Sequence, residues 1–269
     1  MIRWITPLLI SVMLFSGCAG RLADRPGVYQ AEKISIQQKT YTLNPVLVKP
    51  AAPSGRAVLV LFASGDSGLR GLSKTILQHL ADRGYYVAGF SSREVVGEFK
   101  GSRERIPYSE AVEHLKWVTR EAKAKLGLPP DTPIIVTGLS RGANMVILAA
   151  STNAIRDQIA GAIAIALTKE MDYLSLPKSA MNLPGVKLDE EQRPQNLAAI
   201  SRIGSIPLAI INSTTDHYVS SGEWRRLIGP DTPTRHVYEV NSKGHSFGGG
   251  KSQMLRDLDI ALDWITQAM

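Results

Sequence analysis

The sequence predicts an α/β fold, a mostly parallel central sheet with helices packed on both faces. Three observations predict it. Short, continuous apolar runs recur along the chain, as expected of strands buried on both faces. Segments with helical spacing alternate with these runs, and Gly- and Pro-containing breaks separate them. The runs are Ala57–Ala63, Tyr85–Phe90, Pro133–Thr137, Ile159–Leu167, Ile206–Ile211 and His236–Val240. The helical segments are Leu69–Arg83, stopping at Gly84, then Pro107–Leu126, about Arg141 to Ser151, Glu223–Leu227 and Ser252–Ala268. In the second of these, Ala111, Leu115 and Val118 share one face. Before the regular pattern, Ile34–Val48 reads as one or two edge strands of a hairpin, followed by a Pro/Gly-rich turn at Lys49–Gly55. Thr168–Ala199 loses all periodicity and reads as a cap segment over a pocket. With 269 residues, 44% hydrophobic and 20% charged, the chain has the composition of one large globular domain. That domain is expected to span residues 31–269.

The N-terminus reads differently. Met1–Arg3 is a short basic start and Trp4–Phe15 an apolar stretch too short to cross a bilayer, so residues 1–17 are expected to be a signal peptide. The stretch ends at Leu14-Phe15-Ser16-Gly17-Cys18, which resembles the lipobox of bacterial lipoproteins. The resemblance implies cleavage before Cys18, acylation of that residue and a tether over residues 18–30. It also implies a lipid-anchored membrane protein facing the periplasm. The alternative is ordinary cleavage after Ala19 and a soluble secreted protein. Cys18 is the single cysteine, so the chain holds no intramolecular disulfide. The formal net charge is +7, and only Arg3 of it lies in the leader. A basic domain tethered at a membrane is drawn to anionic headgroups or substrates. There is no long basic run and no interleaving of aromatic with basic residues, so nucleic acid is not an expected partner.

The chemistry centres on Gly138-Leu139-Ser140-Arg141-Gly142. This G-x-S-x-G follows an apolar strand and opens a helix, the setting a nucleophile elbow requires, so the α/β-hydrolase fold is expected. The glycines remove side chains where strand and helix approach. Ser140 then projects at a helix N-terminus, where the dipole favours developing negative charge. A serine hydroxyl needs a base, and this fold orders the residues as Ser, acid, His. His245 lies in a loop between the last strand and the last helix and is the expected base. His217 comes early for that role, and His236 falls inside a strand. The acid should sit just past the strand ending at Ile211, which selects Asp216 over Asp231 and Glu223. The oxyanion needs two N–H donors. One is expected from Arg141, the other from Gly65 or Asp66 in Ser64-Gly65-Asp66-Ser67-Gly68, although Ser64 or Asp66 in that loop also reads as a plain helix cap.

The run VLVLFASGDSGL at Val58–Leu69 resembles the strand and S-G-D-G-G loop of the AcvB/VirJ-type bacterial virulence protein family. Gly89–Ser92, the Ser140 elbow, the Asp216 loop and Gly244-His245 follow in the same order. The chain departs from that pattern at Ser67, Leu69 and Arg141. The resemblance implies an exported α/β hydrolase and, for part of the family, hydrolysis of aminoacylated phospholipid. The expected activity is therefore cleavage of a carboxylic ester, of a lipid or another envelope substrate, with Ser140, His245 and Asp216 and with no metal or cofactor. The alternatives are a non-catalytic, lipid-anchored binding protein on the same fold, or a peptidase or acyltransferase using the same triad.

Overall fold

A computed structural model describes residues 22–38, 41–53, 55, 57–96, 106–153, 155–175 and 195–269. In chain order the elements are β1 (Tyr29–Lys33), β2 (Ile36–Gln38), β3 (Tyr41–Leu43), β4 (Val46–Pro50), β5 (Leu59–Ala63), α1 (Gly71–Asp82), β6 (Tyr86–Phe90), α2 (Ser92–Val95), β7 (Ile106–Pro107) and α3 (Tyr108–Leu126). There follow β8 (Ile134–Leu139), α4 (Arg141–Ser151), β9 (Ile159–Ile165), β10 (Leu174–Ser175), α5 (Asn196–Ile200), β11 (Leu208–Ser213), α6 (Ser221–Ile228), β12 (Arg235–Val240) and α7 (Lys251–Gln267).

Eight strands form one sheet in the order β1-β4-β6-β5-β8-β9-β11-β12. The pairs from β6 to β12 are parallel, while β4 runs antiparallel to both β1 and β6. Every residue of β5, β8 and β11 is buried, because both faces are covered. Alternate residues divide between two cores. Leu59, Leu61, Val136, Ala164 and Ile210 face α3 and α4. Val60, Phe62, Ile135, Ile163 and Ile211 face α1 and α7, where Leu77, Leu80, Leu258 and Leu262 are fully buried or nearly so. The period of two along the strands and the 3.6-residue period of the helices thus meet in two layers around one sheet.

The first parallel strand, β5, has its next neighbour β6 on one side and β8 on the other, so the order reverses between β5 and β8. In open α/β sheets a crevice opens beyond the strand carboxyl ends at such a point. The loop after β5 and the turn after β8 both lie there.

The N-terminal part departs from its sequence reading. The strand β1 begins at Tyr29, two residues inside the segment read as tether, and Tyr29 and Leu22 are buried. Pairing with β4 explains this: β1 needs only one face to pack, so its sequence carries no continuous apolar run. Likewise Ile34–Val48 is not one edge hairpin. β2 and β3 pair antiparallel in a separate two-stranded sheet, and β4 lies inside the main sheet between β1 and β6. Of the segment read as a cap, β10 pairs with β7 and α5 follows Gln195, while residues 176–194 lie outside the described residues, as do the leader and Cys18.

Candidate active site

The turn between β8 and α4 is built by steric exclusion. A Cβ on Gly138 would lie 2.2 Å from the Gly142 carbonyl oxygen, and one on Gly142 would lie 2.1 Å from that of Ala63. Both positions therefore require glycine, and α4 can start hard against β5 and β8. Between them Ser140 is held at φ 55° and ψ −117°. This is a sparsely populated region for a residue with a side chain, and it persists only where the surroundings over-determine it. Here the Ser140 N–H donates to the Ile165 carbonyl, and its own carbonyl accepts from the N–H groups of Ala143 and Asn144.

The loop after β12 brings His245 to this serine. His245 Nε2 lies 2.8 Å from Ser140 Oγ, and Nδ1 lies 2.7 Å from Asp216 Oδ2. A carboxylate only accepts, so Nδ1 carries the proton and Nε2 is left to accept from the serine hydroxyl. The Asp216 side chain is fully buried and that of His245 is 17% exposed. Asp216 is fixed further by the Tyr218 N–H, which donates to Oδ1 at 3.0 Å. Asn212 closes the strand end beneath it by bonding the Leu167 backbone and the Val219 carbonyl. Thr215 ties the two loops together: its hydroxyl donates to the Ser242 carbonyl at 2.7 Å and accepts the Gly244 N–H at 3.0 Å. Phe247, at φ 54° and fully buried, anchors the far end of the histidine loop.

The rival residues are engaged elsewhere. Asp231 pairs with Arg225 and accepts the Val237 N–H. Glu223 pairs with Lys169, whose ammonium holds its carboxyl below the usual range. His236 packs on Trp264, with ring centroids 4.4 Å apart. His217 lies 6.1 Å from His245, ring to ring, and packs against Tyr218.

The N–H groups expected to serve the oxyanion differ in how they are engaged. The Arg141 N–H lies in the first turn of α4, directly after the nucleophile. The Gly65 N–H donates to Ser73 Oγ at 3.3 Å, which leaves the Asp66 N–H as the donor from that loop. Among the described residues the Asp66 N–H meets no acceptor.

A cleft of about 190 Å³ opens over Ser140 and His245. Its walls include residues that sequence reading did not single out. Asn144, one turn into α4, bonds Thr168 and the Glu170 carbonyl and accepts from Asn196. Tyr218 sets its ring edge-on to His245 at 4.8 Å and is largely exposed. Its place is foreshadowed by Asp216-His217-Tyr218, since an Asp commonly accepts the N–H two residues on. Asp66, Glu170 and Asp172 also line the cleft, and Arg141 Nε meets Asp66 Oδ1 at 2.9 Å. No sequence signal marks Glu170 or Asp172, which come from the aperiodic segment.

No family model matches the sequence, and no curated protein matches it. Solved structures do. A Klebsiella pneumoniae protein described as a dienelactone hydrolase superposes with a TM-score of 0.64 at 15% identity, over 89% of this chain and 99% of that one. The chain has the α/β-hydrolase fold. Est1E from Butyrivibrio proteoclasticus superposes with a TM-score of 0.61 at 15% identity, over 87% of this chain and 99% of that one. The acylaminoacyl peptidase of Pyrococcus horikoshii gives 0.63 at 14% identity, with 89% of this chain covering 41% of that one.

Proposed function

We propose that the protein is an exported serine hydrolase that cleaves a carboxylic ester through an acyl-Ser140 intermediate. The observation that carries this reading is the hydrogen-bonded chain from Ser140 through His245 to buried Asp216, set on a strained turn at a helix N-terminus. In the first step Ser140 Oγ attacks the ester carbonyl carbon as its proton passes to His245 Nε2. The carbonyl oxygen becomes an oxyanion facing the N–H groups of Arg141 and Asp66. Collapse breaks the bond to the leaving alcohol, which takes the proton from His245. Water, deprotonated by the same imidazole, then releases the acid and restores Ser140. Asp216 remains ionised throughout and holds the imidazole in the productive tautomer.

Glu170 and Asp172 in the cleft lining, beside an Asp66 already paired with Arg141, support a substrate that carries positive charge near the scissile ester, within a chain that is basic as a whole. An aminoacyl ester of a phospholipid has that chemistry, and the resemblance at Val58–Leu69 supports the same reading. Acylation of Cys18 would hold the enzyme at the membrane that contains such lipids.

The test is a fluorophosphonate probe followed by a substrate panel. The wild type should label once per chain, and folded Ser140→Ala should not label. Aminoacyl and simple acyl esters should be cleaved in preference to the matching amides. Equal labelling of wild type and variant would overturn the assignment of the nucleophile.

A further inference from the structure

The loop after β5 is gripped from behind. Ser64 follows that strand, Ser92 opens α2, and both are fully buried. The Gly65 carbonyl accepts from Ser64 Oγ at 3.1 Å, from Ser92 Oγ at 3.2 Å and from the Gly68 N–H at 3.0 Å. The Ser92 N–H in turn donates to Ser64 Oγ at 3.2 Å, so the Ser64 hydroxyl also braces the backbone of Ser92 at the start of α2. One carbonyl oxygen thus receives three donors, two of them side-chain hydroxyls from different elements.

The Gly65 carbonyl and the Asp66 N–H belong to the same peptide unit. That unit is planar, and its C=O and N–H point in opposite directions. Holding the oxygen toward Ser64 and Ser92 therefore turns the N–H to the opposite side. Asp66 lines the cleft together with Ser140. A Cβ on Gly65 would lie 3.5 Å from Ser140 Cβ and 3.4 Å from the Leu139 carbonyl oxygen, so this loop packs directly on the nucleophile turn. Donors to the oxygen also polarise the peptide and strengthen its N–H as a donor.

We propose that Ser92, braced by Ser64, is a positioning residue for the oxyanion site: its hydroxyl anchors the Gly65–Asp66 peptide so that the Asp66 N–H is aimed at the ester carbonyl oxygen before reaction. The proposal rests on acyl transfer at Ser140. Ser92 exchanges no proton and forms no bond to substrate. It removes the reorganisation that the donor would otherwise undergo as charge develops.

Ester hydrolysis by Ser92→Ala, Ser64→Ala and Ser92→Thr, with inhibition by a trifluoromethyl ketone, tests it. Such a ketone adds to a serine as a tetrahedral oxyanion, whereas KM reports mainly the ground state. Ser92→Ala should lower kcat about tenfold with KM nearly unchanged, and the ketone should lose affinity by a similar factor. Ser92→Thr, which keeps the hydroxyl, should recover most of both. Ser64→Ala should move kcat and ketone affinity in the same direction, and it serves if Ser92→Ala does not fold. A folded alanine variant that is less stable but keeps full kcat and ketone affinity would overturn the proposal and leave the hydroxyls as structural partners only. Wild-type protein that takes up no fluorophosphonate and cleaves no ester would instead overturn the acyl-transfer reading on which the proposal rests.

Discussion

Ser140 occupies a backbone conformation that its own side chain disfavours, at φ 55° and ψ −117°. Strain of this kind is worth about 1–3 kcal/mol and lifts the hydroxyl clear of the strand. Ser140→Gly should therefore abolish probe uptake while raising stability by about 1 kcal/mol in urea denaturation, the strain relief exceeding the entropy that a glycine adds to the unfolded chain. Asp216 gives a second test at this scale. Asp216→Asn retains the packing but replaces the acceptor that sets the imidazole tautomer, so turnover should fall about 10⁴-fold with the fold intact. Asp231→Asn loses an exposed pair with Arg225 and should keep turnover. If Asp231→Asn were the crippled variant, the acid would have been misassigned.

At the scale of elements, the site depends on how closely α4 approaches β5. Gly142→Ala would place a methyl group 2.1 Å from the Ala63 carbonyl oxygen, a backbone atom that cannot turn aside. Helix and strand must part, so the substitution should cost about 3 kcal/mol or more in chemical denaturation. Activity should fall with it, because Ser140 and the loop after β5 move apart together. The Asp216 and His245 loops form a second unit. They leave neighbouring parallel strands, β11 and β12, and the Thr215 hydroxyl sets their spacing. A triad assembled from three strand ends is thus aligned by the sheet register and locked by short polar links.

For the whole molecule, the proposed anchor would set where this chemistry takes place. If the chain is exported as proposed, its one cysteine has a use when a thioether-linked lipid occupies the sulfur. Cys18→Ser should abolish incorporation of a fatty-acid analogue and shift any mature protein to the soluble periplasmic fraction. A wild-type protein without label and with Gly20 at its N-terminus would identify a soluble secreted form. Hydrolysis of a soluble ester should survive Cys18→Ser, since the anchor is remote in sequence from every residue of the site.

How much of this was legible in the residues depends on whether the determining physics is local. The apolar runs of β5, β8, β9 and β11, the amphipathic face of α3 and the glycines flanking Ser140 each carry their signal within a few neighbours, and all of them announced the α/β architecture. Chain order then pointed to Ser140, Asp216 and His245. β1 and the place of β4 were hidden, because a strand paired near a sheet edge needs no continuous apolar run. Glu170, Asp172 and Asn144 were hidden as well, since an acidic or amide side chain reads the same on any surface until folding turns it into a cleft. The proposed choice of Asp66 over Gly65 as donor was likewise beyond the sequence. It depends on a buried hydroxyl of Ser73 taking the Gly65 N–H, and on hydroxyls from Ser64 and Ser92 holding the carbonyl of the adjoining peptide. Sequence periodicity determined which segments become strands and helices, because burial on one or two faces is written into the side chains themselves. The distances between Ser140, His245 and Asp216, and the direction of each N–H around them, were decided only when separate strand ends met, because a hydrogen bond between residues 105 positions apart has no local signature.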